Sequence, residues 1–350
     1  MLCTIDRRTP PDGVPCVDRA GRPVPATAAP RASTGVQAAR PAGGGSLQAP
    51  GAVVLVRARC FQPNPQTARD NAFQRCARAP AIPNVAESAF EESTRAAQTL
   101  QAHGVRVHLF DDDGSNHTPD SVFPNNWFST HAGGHVAIYL MYAPNRRLER
   151  RNDIIDMLQR EYRVQDVIDY SGLVHDGVFL EGTGAMVLDH EARVAYTARS
   201  HRADPIAVER FCTHFNYEPM VFDTCGPDGR PVYHTNVLMT VATEFALVGS
   251  SLISDPGRRA AVHNRLEQSG RHVIEIDPAQ VSEFAGNAME LSGHDGRLLA
   301  ISTRALASLR ASQRRVIERS ARIVTLSVPT IEQAGGSVRC MLAGVHLSRR

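Results

Sequence analysis

Cys340 is the residue best suited to covalent chemistry in this chain of 350 residues. It lies in Gly335-Gly336-Ser337-Val338-Arg339-Cys340-Met341, where paired glycines permit close backbone approach and an arginine stands beside the thiol. Both features favour a thiolate, although most single cysteines are small buried apolar residues. A thiol nucleophile needs a base and a group that orients the base, and neither has to be near it in sequence. Among the 14 histidines, His234 sits in Pro231-Val232-Tyr233-His234-Thr235-Asn236-Val237, where a loop enters an apolar strand. Site residues often occupy such loops, and by spacing alone His234 is one of several candidates. Glu181, in Phe179-Leu180-Glu181-Gly182-Thr183-Gly184, ends an apolar run beside flexible backbone. Charged groups in such places are usually solvated turn residues. Asp120-Ser121-Val122-Phe123-Pro124-Asn125-Asn126-Trp127 joins an acid, a ring and two amides to the only tryptophan, and by itself it reads as a turn after Pro119. His131 and His135 have a spacing that on a helix could bind zinc, but the two glycines between them make a helix a poor reading. Asp111-Asp112-Asp113-Gly114 lacks the other ligands of a calcium loop and reads as a solvated turn.

Strands and helices must bring such scattered residues together. The first is Ala52-Val53-Val54-Leu55-Val56, an apolar β-branched run of the kind found in buried strands. Residues 86–103 predict a helix with Phe90, Ala97 and Leu100 on one face and Gly104 as its stop, followed by a strand over 105–110. A second helix is expected over 146–162. Short strands follow near 178–181, 185–189, 193–197, 219–222, 237–241 and 245–249, with helices near 205–215, 256–268 and 303–320. Strands come in pairs or triplets between helices, which departs from strict βαβ alternation and suits a mixed α/β fold of small ββαβ-like units. No sequence repeat is visible by eye.

Composition narrows the chemistry. All 38 basic positions are arginine, so Schiff-base, pyridoxal-phosphate, Ser-Lys and P-loop mechanisms have no amine to use. With 42% apolar residues the chain can build a sizeable core without disulfide or metal staples. Residues 51–350 carry 32 arginines against 33 acids, a near-neutral balance that gives no electrostatic case for nucleic acid. Seven cysteines, odd in number and without a Cys-x-x-Cys pair, suit a reducing, cytoplasmic setting. No apolar run approaches membrane-spanning length, and no secretory signal is recognisable. Residues 1–50 hold eight prolines, six glycines and nine alanines but no aromatic residue. They read as a disordered extension, with an early start codon or a transit peptide as other readings. Only two serines and three acids weaken the transit peptide. Residues 51–350 are then expected to form a single catalytic domain.

Taken in order, these segments resemble the guanidine-modifying enzyme superfamily, the group of amidinotransferases, arginine deiminases and dimethylarginine hydrolases. The segment from Pro119 through Phe123 resembles the family's substrate-binding stretch, Glu181-Gly182 its Glu-Gly-Gly-Asp motif, and His234 its catalytic histidine segment. Gly335-Gly336 with Arg339-Cys340-Met341 resembles the glycine-rich loop that carries the nucleophile. Tyr196-Thr197-Ala198-Arg199-Ser200 resembles the strand whose arginine receives the substrate carboxylate. Coverage runs from about 52 to 346. The resemblance implies a five-bladed α/β propeller, with pseudo-fivefold ββαβ units around a central pocket. It further implies Cys340 as nucleophile, His234 as proton shuttle and Glu181 as the group that orients it, with no cofactor and no metal.

Departures from the family pattern point to the substrate. Where arginine deiminases carry two aspartates that grip the guanidinium, this chain has Asn126 and Asn236. A buried cation without its carboxylates is costly, whereas an amide can donate to a ureido oxygen and accept from its N–H groups. The expectation is a hydrolase converting citrulline to ornithine, carbon dioxide and ammonia through an S-carbamoyl Cys340. Citrulline-utilising hydrolases are also suggested by Phe61-Gln62-Pro63-Asn64-Pro65-Gln66-Thr67 and by Asn71-Ala72-Phe73-Gln74. In this reading Arg199 holds the α-carboxylate, Asp120 an N–H group of substrate, and Phe123, Asn126 and Asn236 complete the substrate pocket. Arginine deiminase, dimethylarginine hydrolase and amidinotransferase activities use the same site chemistry. A non-catalytic binding protein on the same fold and a zinc hydrolase using His131 and His135 are the rivals of other classes. The partner expected is a small amino acid, with no nucleic acid and no membrane; a homo-oligomer is compatible.

Overall fold

Among the described residues, five three-stranded units, each closing on a parallel third strand, carry most of the regular structure. The computed structural model describes residues 47–74, 84–226 and 229–350.

In sheet one, β1 (Ala52–Ala58) runs parallel to β2 (Arg106–Asp112), with the helix Val85–Ala102 between them. Sheet two joins β3 (Phe128–His131), β4 (His135–Ile138) and β5 (Asp166–Asp169), and sheet three joins β6 (Met186–Asp189), β7 (Val194–Ala198) and β8 (Glu218–Phe222). Sheet four contains β9 (Met239–Val241), β10 (Phe245–Val248) and β11 (His272–Glu275), and sheet five β12 (Met289–Gly293), β13 (Gly296–Ser302) and β14 (Arg322–Leu326). In sheets two to five the first strand pairs antiparallel with the middle one, and the third returns parallel to it after a helix. Sheet one receives its antiparallel strand from the far end of the chain, because β15 (Ala343–Gly344) pairs with Val53 and Val54. All five sheets thus share one strand order.

Middle strands read as near-continuous apolar runs because both their faces are covered. β7 and β10 are buried along their whole length. Val53 and Leu55 of β1 cluster with Ala97 and Leu100 of the first helix, while Phe245 and Leu247 of β10 cluster with Val262 and Leu266 of the helix Pro256–Gln268. Helix starts are written locally: Asp204, Asp255 and Asp277 each accept a backbone N–H from the turn they cap, and each precedes a proline at the first helical position.

Four expectations need correction. The helix expected over 146–162 begins only at Asn152, because Pro144–Glu149 winds a tighter 3-10 turn that lets Arg146 reach Glu149. The helix expected over 303–320 is two, Thr303–Ser308 and Ala311–Glu318, broken where Leu309 turns into the core in extended conformation. Residues 178–181 form only an isolated bridge, Leu180 to Ala203. Residues 1–46 of the expected extension lie outside the described residues, but its last four do not behave as an extension. Gln48 is buried, donates to the carbonyls of Leu188 and Val241 at 3.0 and 2.8 Å, and accepts from the His190 N–H at 2.8 Å. One amide side chain there satisfies three buried backbone groups that would otherwise be costly.

Candidate active site

The segment leading into the first strand of each unit supplies one polar part of a shared site. Pro124–Asn126 is a single 3-10 turn before β3, and Gly182–Ala185 is a helical turn between Glu181 and β6. Thr235–Leu238 separates His234 from β9, Asn287 immediately precedes Ala288 and β12, and Val338–Met341 carries Cys340 toward β15. Asn126, Glu181, Asn236, Asn287 and Cys340 therefore recur at intervals of roughly 50 residues, one per unit. The close approach of these turns explains the glycines: a Cβ on Gly184 would stand 2.1 Å from Asn126 Oδ1 and 2.8 Å from the His234 ring. A Cβ on Gly336 would stand 2.9 Å from the Phe123 ring.

Cys340, His234, Asp120, Phe123 and Asn126 line one small cavity, together with Thr67, Asn71, Tyr233, Arg146 and Arg202. Glu181 lies directly behind His234. Its Oε2 is 2.8 Å from His234 Nε2, and its Oε1 accepts the Tyr142 N–H at 2.9 Å. Burial alone would raise the Glu181 carboxyl, but Arg202, His234 and Arg146 outweigh it and hold the carboxyl down to about 2. An ionised Glu181 fixes the proton on Nε2 and leaves Nδ1 as the basic nitrogen. Burial lowers His234 itself, against the pull of Glu181, so the ring is neutral near pH 7.

Around the thiol the polar groups are amides. Asn236 Nδ2 and Asn287 Nδ2 each donate to Cys340 Sγ at 3.3 Å. At the other end of the cavity the groups are charged. Arg146 makes a bidentate pair with Glu149 at 2.8 and 2.9 Å and lies 3.5 Å from Asp120. Arg202 pairs with Asp70 and lies 3.6 Å from Glu181, with its guanidinium over the Tyr233 ring. Asp120 accepts from Asn64 at 2.9 Å through Oδ2, whereas its buried Oδ1 has no partner. Burial raises the Asp120 carboxyl despite Arg146 and Asn64. With its amide turned so that both ends are satisfied, Asn126 accepts from the two terminal Arg146 nitrogens at 3.1 and 3.2 Å. The segment from Asn64 to Gln74 packs over this region, with Asn71 donating to the Ala334 carbonyl at 3.1 Å.

Arg199 is the correction here. It is exposed, caps the end of β7, and forms a bidentate pair with Asp223 at 2.7 Å, away from the cavity. The arginines that face the cavity are Arg146 and Arg202, both buried. Sequence reading missed them, as it missed Asn287 and Glu149. The usable signal for Asn287 was its place one unit before Cys340. For the zinc reading, His131 and His135 pair across the β3–β4 hairpin, with His131 tilted against Phe215 and bonded to Ser129, and His135 paired with Asp166. Among the described residues no cluster of three His, Cys, Asp or Glu side chains could hold a metal, and no helix is long and apolar enough to cross a membrane.

Five like ββαβ units whose entry turns pack against one another define an α/β protein of the amidinotransferase and dimethylarginine hydrolase superfamily, homologous to its hydrolases. The family model described as N,N dimethylarginine dimethylhydrolase, eukaryotic, matches residues 57–347, and the chain belongs to that family. Among solved structures it resembles the N-terminal domain of ArgZ, an arginine dihydrolase from the ornithine-ammonia cycle in Cyanobacteria. There the TM-score is 0.65 at 15% identity, over 84% of this chain and 97% of that one. AgrE in complex with ornithine and NAD+ gives 0.65 at 16% identity, over 85% of this chain and 40% of that one. The dimethylarginine hydrolase from Pseudomonas aeruginosa, a Cys-to-Ser variant complexed with citrulline, gives 0.59 at 14% identity, over 86% and 100%. No curated protein matches the sequence.

Proposed function

We propose that this protein hydrolyses the ureido group of citrulline to ornithine, carbon dioxide and ammonia, with Cys340 as nucleophile. The observation that carries the choice of substrate is the amide pair at the thiol: Asn236 and Asn287 donate to Sγ, and among the described residues no carboxylate bonds to it. A guanidinium delivered there would lack a counter-charge, which a neutral ureido carbon does not need. Asp120, Glu149, Glu181 and Asp70 are each already tied to Arg146 or Arg202.

In this reading the His234 Nδ1 accepts the thiol proton, and Cys340 Sγ attacks the ureido carbon. The bond from that carbon to the δ-nitrogen breaks as His234 returns the proton, releasing ornithine and leaving S-carbamoyl Cys340. Water, deprotonated by the same nitrogen, then attacks the carbonyl. The thiol is regained, and the released carbamate breaks down to carbon dioxide and ammonia. Glu181 keeps the ring in the right tautomer. The two cavity arginines suit the α-carboxylate, taking the role expected of Arg199, and the free Oδ1 of Asp120 suits a substrate N–H. The five sheets are read as blades of one propeller around this pocket, with residues 51–350 as a single catalytic domain.

A second reading, arginine dihydrolase, is favoured by that same unpartnered Asp120 oxygen, which could accept from a guanidinium. Purified protein given citrulline, arginine or dimethylarginine separates them. One ammonia per ornithine from citrulline, at a higher kcat/KM than from arginine, supports the proposal; a higher kcat/KM on arginine, with two ammonia per ornithine, overturns it.

A further inference from the structure

We infer that Asn287 is a catalytic residue that stabilises the thiolate of Cys340 as it forms. The inference rests on the reading of Cys340 as nucleophile but not on the identity of the substrate. Asn287 is fully buried, and its hydrogen bonds leave its amide one orientation. The Oδ1 atom accepts the Arg339 N–H at 3.0 Å, so Nδ2 must face the other way. Of the two protons on Nδ2, one goes to the Asn236 carbonyl at 2.9 Å and the other to Cys340 Sγ at 3.3 Å. Every donor and acceptor of the side chain is thereby used.

A second donor, Asn236 Nδ2, reaches the same sulfur at 3.3 Å, while the one acceptor facing it, Asn236 Oδ1, stands further away at 3.7 Å. Two N–H groups aimed at one sulfur complement a thiolate, which accepts, better than a thiol, which must place its own proton. The titratable groups nearby are His234, Asp120, Arg146 and Arg202 around the cavity, Tyr233 beside them and Arg339 next in the chain. None of these forms a hydrogen bond with Sγ, so the amide pair is the direct contact that favours the anion. Because Asn287 is braced by the backbone of Arg339, the neighbour of the nucleophile, its donor moves with the loop that carries the thiol.

The test is the pH dependence of Cys340 alkylation by iodoacetamide in the full-length protein, read peptide by peptide by mass spectrometry, with exposed Cys225 as internal reference. In Asn287→Ala the reactivity midpoint of Cys340 should move up by about one to two pH units, while that of Cys225 stays in place. Asn287→Asp keeps the acceptor for the Arg339 N–H, and so the brace, but turns a carboxylate oxygen toward sulfur; its midpoint should rise at least as far. A folded Asn287→Asp protein whose Cys340 midpoint does not move overturns the inference and leaves Asn287 a structural residue. The assay uses no substrate, so failure to turn over citrulline and failure of this inference are separate results.

Discussion

The two ends of the cavity solve opposite problems. At the thiol end Cys340 meets neutral amides held in fixed orientation, and charge there has to develop during reaction. At the other end Arg146, Arg202, Asp120, Glu149, Glu181 and Asp70 form a mesh of charges already present in the resting protein. Paired buried charges are stiff and costly to disturb, whereas the amides at the thiol set which charge that end of the site tolerates. The charged end is therefore expected to govern stability and anchoring, and the amide end to govern chemistry and substrate choice.

The largest effect that would sharpen this contrast is at the thiol. Cys340→Ala should abolish turnover, by about 10⁴-fold or more, without lowering the thermal midpoint by more than a few degrees; steady-state assay and calorimetry check both. Next comes Arg146→Met, which strands Glu149 and Asp120 in the interior and should cost about 3–5 kcal/mol in urea unfolding. If that variant unfolds like the parent, the charged end is no keystone. At the amide end, Asn236→Asp should shift the ratio of citrulline to arginine kcat/KM toward arginine by about 10- to 100-fold, whatever its cost in stability. A parallel fall for both substrates would break the comparison.

Smaller effects come from outside the cavity. Burial holds His131 well below its ordinary value, helped by its neighbours His346, Arg193 and His135. A histidine depressed in the folded state stabilises fully above its unfolded value near 6.5, and that contribution is lost as pH falls toward the folded value. Stability should thus decline below about pH 6.5, by about 1.4 kcal/mol per pH unit from this buried ring, and His131→Phe should flatten that slope in acid titrations followed by circular dichroism. Smallest of all, Arg199→Ala removes only an exposed pair and should change KM by less than about twofold and stability by less than about 0.5 kcal/mol. A tenfold rise in KM would restore Arg199 to the substrate.

Much of the candidate site was legible through the family resemblance, whose segments are each punctuated locally. Paired glycines mark Cys340, Gly182 and Gly184 mark Glu181, and a polar stretch entering an apolar strand marks His234. Arg199 and Arg202 could not be told apart this way. They are three residues apart, but β7 ends at Ala198 and the chain turns at Ser200–Ala203, sending the first outward to Asp223 and the second inward to Asp70 and Glu181. Arg146 was hidden for a related reason: the apolar spacing around it suggested a helix, and only the tight turn that pairs it with Glu149 brings it to the cavity.

By itself, then, the amino-acid sequence determined the ββαβ rhythm and the Asp-Pro helix starts, and through the family resemblance it pointed to the thiol, imidazole and carboxylate proposed for the site. The first two are written in neighbouring residues and their periods. Tertiary structure alone decided which arginines face the cavity, that Gln48 belongs to the folded body, and that Asn287 meets Cys340. These depend on contacts between residues 53 to 193 positions apart in the chain, where short-range pattern carries no information and only tertiary packing sets the partners.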